Sequence, residues 1–499
     1  MTRYFIIATA IAAAGAPSVR AQGRGGGDWS TGGGDAQRSS WVRTDAKISP
    51  ESIAKPGFQV AWKVKLPNEA RQGNAVFAPV LLERYIGYRG FRSFAFAGGS
   101  SENVFAVDTD LGRVEWQKHF RVETAAGTAT CPGGMTAAST EPALAALPAM
   151  NDGRGGRAGG RGGPARSGVG APLEGAVTIA ASMAAAANPA AGGGRGRGAI
   201  IPGAPGAPAV PGPRGRMPSM VYALSGDGAF HAMYVSNGDE PEPPVKFLPA
   251  HANAKDLMLV DNVAYAVTVN NCGGVPNGIW ALDVASKSVA NWSGNGVGAA
   301  IGPDGIYVTT ADGDLVLLEA KTLAKKASYS GGAAFSTAPV LFESKGKIML
   351  AAATKDGNLH LADAATMTGT GAKTGLSADA LSTWQDSTGT RWLLAAGAKS
   401  VGAWKVGDTL QPGWTSREIA SPLTPIVVNG VVFAVAGGSR SSRAVMYALD
   451  GFTGKELWNS GNAITSFAPR SAGLAAGGSQ IYLGTSDGTL WAFAFPIEH

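Results

Sequence analysis

Apolar and polar positions alternate over short stretches of this chain, and the stretches end at Asp/Gly reversals. In VMYALDGFTGKELW, Val445, Tyr447 and Leu449 alternate with other side chains, Asp450 to Gly454 reverses the chain, and Lys455 to Trp458 returns. A period of two on either side of a turn predicts a half-buried hairpin. Asp450 suits the turn because its carboxylate accepts nearby backbone N–H groups, and Gly454 because it adopts positive φ freely. Trp458 then falls on the returning strand, where its ring can pack against a neighbouring sheet. NVFAVDTDLGRVEW repeats the plan, matching at Ala106, Asp108, Gly112 and Trp116. IWALDVASKSVANW, with Asp283 and Trp292, is a third copy that lacks the glycine and is one residue longer.

A second unit reads strand, X-Asp-Gly-X, strand, in VYALSGDGAFHAMYV, IYVTTADGDLVLLEA, IMLAAATKDGNLHLADA and IYLGTSDGTLWAFAF. The leading strands of such hairpins start near Phe94, Val221, Val263, Ile306, Ile348, Trp392, Val431 and Ile481, and from Val221 onward the steps are 42, 43, 42, 44, 39 and 50 residues. A four-stranded propeller blade takes roughly 40 to 45 residues, so these starts predict eight blades. The last unit ends on a third strand, Leu490 to Phe495, while FQVAWKVKL, Phe58 to Leu66, is a strand without a local partner. Its Phe58, Val60, Trp62, Val64 and Leu66 share one face, and pairing it with the last unit closes the ring without an open edge.

The pattern A-x-D-x-x-x-G-x-x-x-W resembles the tryptophan-docking repeat of pyrroloquinoline quinone (PQQ) proteins. That family spans PQQ-dependent dehydrogenases and cofactor-free relatives such as the outer-membrane assembly propeller lipoprotein of the Bam complex. The resemblance implies an all-β, eight-bladed β-propeller of quinoprotein type. In it Trp116, Trp292, Trp458, Asp108, Asp283, Asp450, Gly112 and Gly454 are docking and turn residues. DWSTGGGDAQRSSWVRTDAKIS, Asp28 to Ser49, looks like the entry segment ahead of the first blade in such proteins; from its residues alone it reads as a surface loop pinned by Trp29 and Trp41, without chemistry.

Composition modifies this picture in two places. MTRYFIIATAIAAAGAPSVRAQ has a basic start, an apolar run from Tyr4 to Ala14 and small residues before Gln22, the layout of a cleavable export signal over residues 1–21. Residues 22–56 then form the entry segment and 57–499 the propeller. No cysteine stands near the cleavage point, so a periplasmic or secreted protein without a lipoprotein anchor is expected. The interval from Phe94 to Val221 spans 127 residues, and 147–218, within blade two, is a Gly/Ala/Pro/Arg-rich insert. Such a composition predicts disorder. Its arginines 154, 157, 161, 166, 195, 197, 214 and 216, against Asp152 and Glu174, account for the formal net charge of +6. It lacks the interleaved aromatics that stack bases, so no nucleic-acid partner is expected.

The chain has two cysteines, Cys131 and Cys272, which fall in loops of adjacent blades on one face and are candidates for a disulfide or for separate thiols. Neither they nor the five histidines make a metal-ligand spacing. No catalytic residue emerges: there is no nucleophilic triad to place and no phosphate-binding loop. The resemblance implies that a PQQ enzyme would clamp its cofactor between a tryptophan and a disulfide of adjacent cysteines, with Ca²⁺ held by Glu and Asn. No adjacent cysteines exist here, and only Gly294-Asn295-Gly296 resembles the Gly-Asn segment. The candidate binding face is Asn270, Asn271, Cys272 and Asn277 with the CPGG segment. Two readings stay open: a monomeric binding or assembly platform for an envelope protein or small ligand, and a divergent PQQ- and Ca²⁺-dependent dehydrogenase of alcohols or sugars.

Overall fold

In the computed structural model, residues 29–87, 90–123, 127–147 and 219–496 are described. The expected export signal and all of the Gly/Arg/Pro-rich insert after residue 147 lie outside them. The described chain forms eight small antiparallel sheets whose first strands touch one another in cyclic order. It is an eight-bladed β-propeller. A regular blade is blade four, with strands Gly296–Gly302, Gly305–Thr310, Asp314–Leu318 and Lys325–Ser330 running outward from the axis. Its second and third strands are buried along almost their whole length, while the outermost alternates exposed and half-buried positions. This gradient explains the sequence pattern: inner strands covered by blades on both sides read as apolar runs, and outer strands alternate.

Seven of the eight starts fall in the second strand of a blade, from Gly90–Gly99 in blade one to Gln480–Gly484 in blade eight, and Val221 falls in the innermost strand of the three-stranded sheet of blade two. The closing strand is Gln59–Lys65, antiparallel to Thr489–Ala494 in the sheet of blade eight. Blade one therefore sits against a blade built from both ends of the described chain. The blade-two sheet is the thinnest, with only Met220–Leu224, Ala229–Tyr234 and Val245–Lys246 as strands and an isolated bridge from Thr140 to Tyr222 on its axial edge. The chain leaves blade one, contributes 139–147 near the axis, and returns after the insert at Met220.

The docking repeat has a two-sided explanation. In blade one Asp108 accepts the N–H groups of Asp110 and Leu111, each at 3.0 Å, and in blade seven Asp450 accepts those of Phe452 and Thr453 at 3.0 and 2.8 Å. Asp283 caps its turn in the same way. The glycines at φ 61 (Gly112) and 69 (Gly454) also receive the tryptophan of the preceding blade. A Cβ on Gly112 would lie 2.6 Å from Trp62 Cγ, and one on Gly454 2.3 Å from a ring carbon of Trp414. Each indole then donates to its turn: Trp62 to the Thr109 carbonyl at 2.8 Å, Trp414 to Gly451 at 2.9 Å, and Trp116 to Val235 of blade two at 2.8 Å. Trp458 meets the Phe493 ring of blade eight edge-on. Trp292 instead folds over Gly294 of its own chain.

Candidate functional site

The entry segment is the main correction to the sequence reading, because it is not a surface loop. Trp29, Thr31, Ala36, Gln37 and Ser40 are all buried at 3% exposure or less. The segment runs around the inside of the propeller and serves the axial edges of successive blades with its backbone. Trp29 pairs with Leu81 of blade one. The carbonyls of Ala36, Gln37, Ser39 and Ser40 then accept from Ile301, Leu341, Thr383 and Val427, in blades four to seven, at 2.8 to 3.0 Å. Trp41–Val42 continues as a parallel strand on Ile426–Val428. A second segment serves blades two and three, with Thr140 bridging Tyr222 and Pro142–Ala143 parallel to Leu259 and Val260. Gln37 ties the two together, its side-chain amide 3.0 Å from the carbonyls of Leu144, Ala145 and Ile301. A buried edge N–H needs a partner, and here the chain supplies its own.

Polar side chains gather at this hub. Asp35 accepts from the Ser39 amide at 2.9 Å and its hydroxyl at 2.5 Å, and burial raises its carboxyl pKa despite those bonds. Arg38 pairs with Asp256 at 2.6 Å, where the blade-three edge strand is bulged. Arg391 lies 5.3 Å from the Trp41 ring centroid and 5.5 Å from that of Phe342, and burial, reinforced by the neighbouring Arg43, pulls its pKa down to about 10. The space among Asp35, Trp41, Arg43, Glu343 and Arg391 is only about 20 Å³, enough for roughly one water molecule.

One face carries the loops between blades and the second-to-third-strand turns. Here Cys131 and Cys272 form a disulfide with Cα atoms 5.5 Å apart, bridging 141 residues and reaching past blade two to blade three. The neighbouring asparagines are engaged within the loop. Asn271 and Asn277 exchange side-chain-to-backbone bonds at 2.9 and 3.3 Å, and Asn270 donates to the Thr130 carbonyl at 2.9 Å. The structure thus brings the sequence-predicted Asn270, Asn271, Cys272 and Asn277 into one braced loop joined to Thr130 and Cys131. On the same face Glu102, 2% exposed, accepts the Gly226 amide of blade two at 3.1 and 3.2 Å, and burial pushes its carboxyl up to about 7. Nothing periodic marks Glu102 or Gln37 in the sequence, and both escape a pattern reading.

Sequence reading finds no nucleophilic triad to place, yet Ser225, His231 and Glu240 stand in line: His231 Nε2 is 2.9 Å from Ser225 Oγ and Nδ1 is 2.5 Å from Glu240. The repeats identify its role. Thr354 and His360 occupy the same spacing in blade five at 3.1 Å, and Thr485 and Trp491 do so in blade eight, also at 3.1 Å. An indole N–H only donates, so in blade eight the hydroxyl accepts from the ring and gives its proton to Asp487, 2.6 Å away. Ser225 likewise donates to Asp227 and Thr354 to Asp356. With its proton committed to the turn carboxylate, the Ser225 hydroxyl is not set up for activation by His231. Ser225 and His231 are also buried, at 3% and 6% exposure. The constellation locks an Asp-Gly turn.

No protein-family model matches the chain, and no curated protein matches it. Solved structures do match it in fold. BamB from Moraxella catarrhalis superposes with a TM-score of 0.50 at 12% identity, over 89% of this chain and 99% of that one. The quinohemoprotein alcohol dehydrogenase from Comamonas testosteroni gives 0.56 at 12% identity, over 94% and 82%. A computationally designed protein, Ika8, gives 0.51 at 12%, over 86% and 98%. These likenesses establish the PQQ-type propeller fold, which serves several activities. The clamp expected for PQQ is not matched by the residues present, because the disulfide joins two distant loops. Among the described residues no group of three or more His, Cys, Asp and Glu side chains could hold a metal ion.

Proposed function

We propose that this protein is an exported propeller that works as a binding or assembly platform in the cell envelope. The observation that carries the reading is the filled axis: residues 29–43 and 139–147 serve the inner strand edges with their own backbone, so the molecule offers its faces and rim to other molecules. The braced loop around Cys131, Cys272 and the three asparagines gives one face a fixed shape, and a preorganised surface loses little entropy on binding. The export signal read from residues 1–21 supports an envelope location, and the fold it shares with BamB is compatible with a protein partner.

The rival is a PQQ-dependent dehydrogenase, favoured by the fold shared with the quinohemoprotein alcohol dehydrogenases. Purified protein titrated with PQQ and Ca²⁺ separates the two. The platform reading expects no stoichiometric quinone absorbance and no dye reduction with alcohols or sugars. Saturable quinone binding accompanied by turnover overturns it.

A further inference from the structure

A cavity of about 250 Å³ opens between blades three and four, on the face opposite the disulfide and beside the axis. Its apolar wall is Val260, Val263 and Ile301, joined by Ala145 of the second axial segment. Its charged lining is carboxylate-rich and comes from three separate turns, with Asp261, Asp304 and Glu319. The two lysines at the cavity are already engaged: Lys321 is 2.7 Å from Asp283, and Lys326 donates to the Asp304 carbonyl at 2.6 Å. Glu319 is held in place by the Lys321 and Thr322 amides at 2.9 and 2.6 Å. Asp261 is different. It lies exposed on its turn at the cavity mouth, and its carboxylate makes no hydrogen bond or ion pair among the described residues.

Tyr265 reports the field inside. Its ring is 2% exposed and its hydroxyl donates to the Ala320 carbonyl at 2.9 Å, leaving the oxygen lone pairs for another donor. Burial and then the charges of Glu319, Asp261 and Asp283 hold that hydroxyl in its protonated form. A hydrocarbon wall combined with an unpaired carboxylate and a phenol oxygen is complementary to a cation with an apolar body. The volume falls just below the roughly 300 Å³ at which pockets for drug-sized ligands begin, so the ligand is small.

We propose that this cavity binds a small organic ammonium ion, its apolar body against Val260, Val263 and Ile301 and its ammonium group between Asp261 and the Tyr265 hydroxyl. The site is on the opposite face from the braced loop and stands whether or not the platform reading does. Calorimetric titration of the full chain with phenethylammonium, phenethyl alcohol and 3-phenylpropionate tests it. The amine is expected to saturate one site at least tenfold more tightly than the alcohol, with no binding of the carboxylate. Asp261→Asn keeps a residue suited to the turn at φ 49 and is expected to weaken amine binding at least tenfold while its melting curve matches the parent. Equal binding of amine and alcohol, undiminished amine binding by Asp261→Asn, or no saturation by about 10 mM amine overturns the proposal.

Discussion

The rim and the axis of this propeller are held together by different means. At the rim, one device recurs: the tryptophan of a blade lies on a glycine of the next and donates to its turn, as Trp62 does at Gly112 and Trp414 at Gly454. At the axis no side-chain device recurs. A single extended segment passes the first strands of blades four to seven in turn, meeting each through a main-chain carbonyl. Rim contacts join neighbours only, so their loss is local at first; the axial segment contacts many blades at once and couples them. A repeat protein can therefore be modular on its outside and indivisible at its centre.

The sharpest way to break this comparison is to shorten the chain so that it begins at residue 57, which keeps the closing strand and removes the axial segment. With the edge amides of several blades left without their partners, a loss on the order of 5 kcal/mol or more is expected, read by denaturant unfolding. A shortened chain that unfolds like the parent would mean that water serves those edges equally well.

Replacing both cysteines by serine is expected to cost about 4 kcal/mol, since the bridge closes 141 residues, and limited proteolysis should then cut first around blade two. Unchanged stability would place blade two under the control of other contacts. Trp414→Ala is expected to lose about 3 kcal/mol, and Gly454→Ala to be destabilising through both its φ of 69 and the indole above it. If Gly454→Ala melts normally, the rim contact is slack rather than tight.

The smallest effect concerns Glu102. Its folded-state pKa, raised to about 7, means that the folded chain holds a proton the unfolded chain releases near 4.5. Its contribution is thus complete below about pH 4.5 and is lost as pH rises through 7, on the order of 2 to 3 kcal/mol. Glu102→Gln should flatten stability between those limits. A parent and variant with parallel pH profiles would show that Glu102 titrates in the folded chain as it does in the unfolded one.

The rim was legible in the sequence because its contacts depend on side-chain identity at fixed spacing. Asp108, Gly112 and Trp116 each have a visible reason to be what they are, and the spacing of the eight leading-strand starts counted the blades correctly. Trp62 and Trp414 were harder to read as docking residues, because the glycine each one covers belongs to the next blade and not to its own hairpin. The axial segment was misread for a deeper reason. It binds through backbone carbonyls, to which side-chain pattern is blind, and Ser30, Thr31, Gln37, Ser39 and Ser40 look like solvent-facing residues. Buried polar residues that serve one another, such as Asp35 with Ser39, leave no periodic trace. The Ser225–His231 pair shows the converse benefit of repetition, since Thr485 and Trp491 supply an internal control for the direction of its proton.

The strand Gln59–Lys65 pairs with Thr489–Ala494, so an early-synthesised piece of polypeptide must wait for one of the last before it finds its place. Until then that half-buried strand stays unpaired, together with the equally unmatched Trp41 and Val42. Slow final assembly follows from how far apart along the chain the two strands lie.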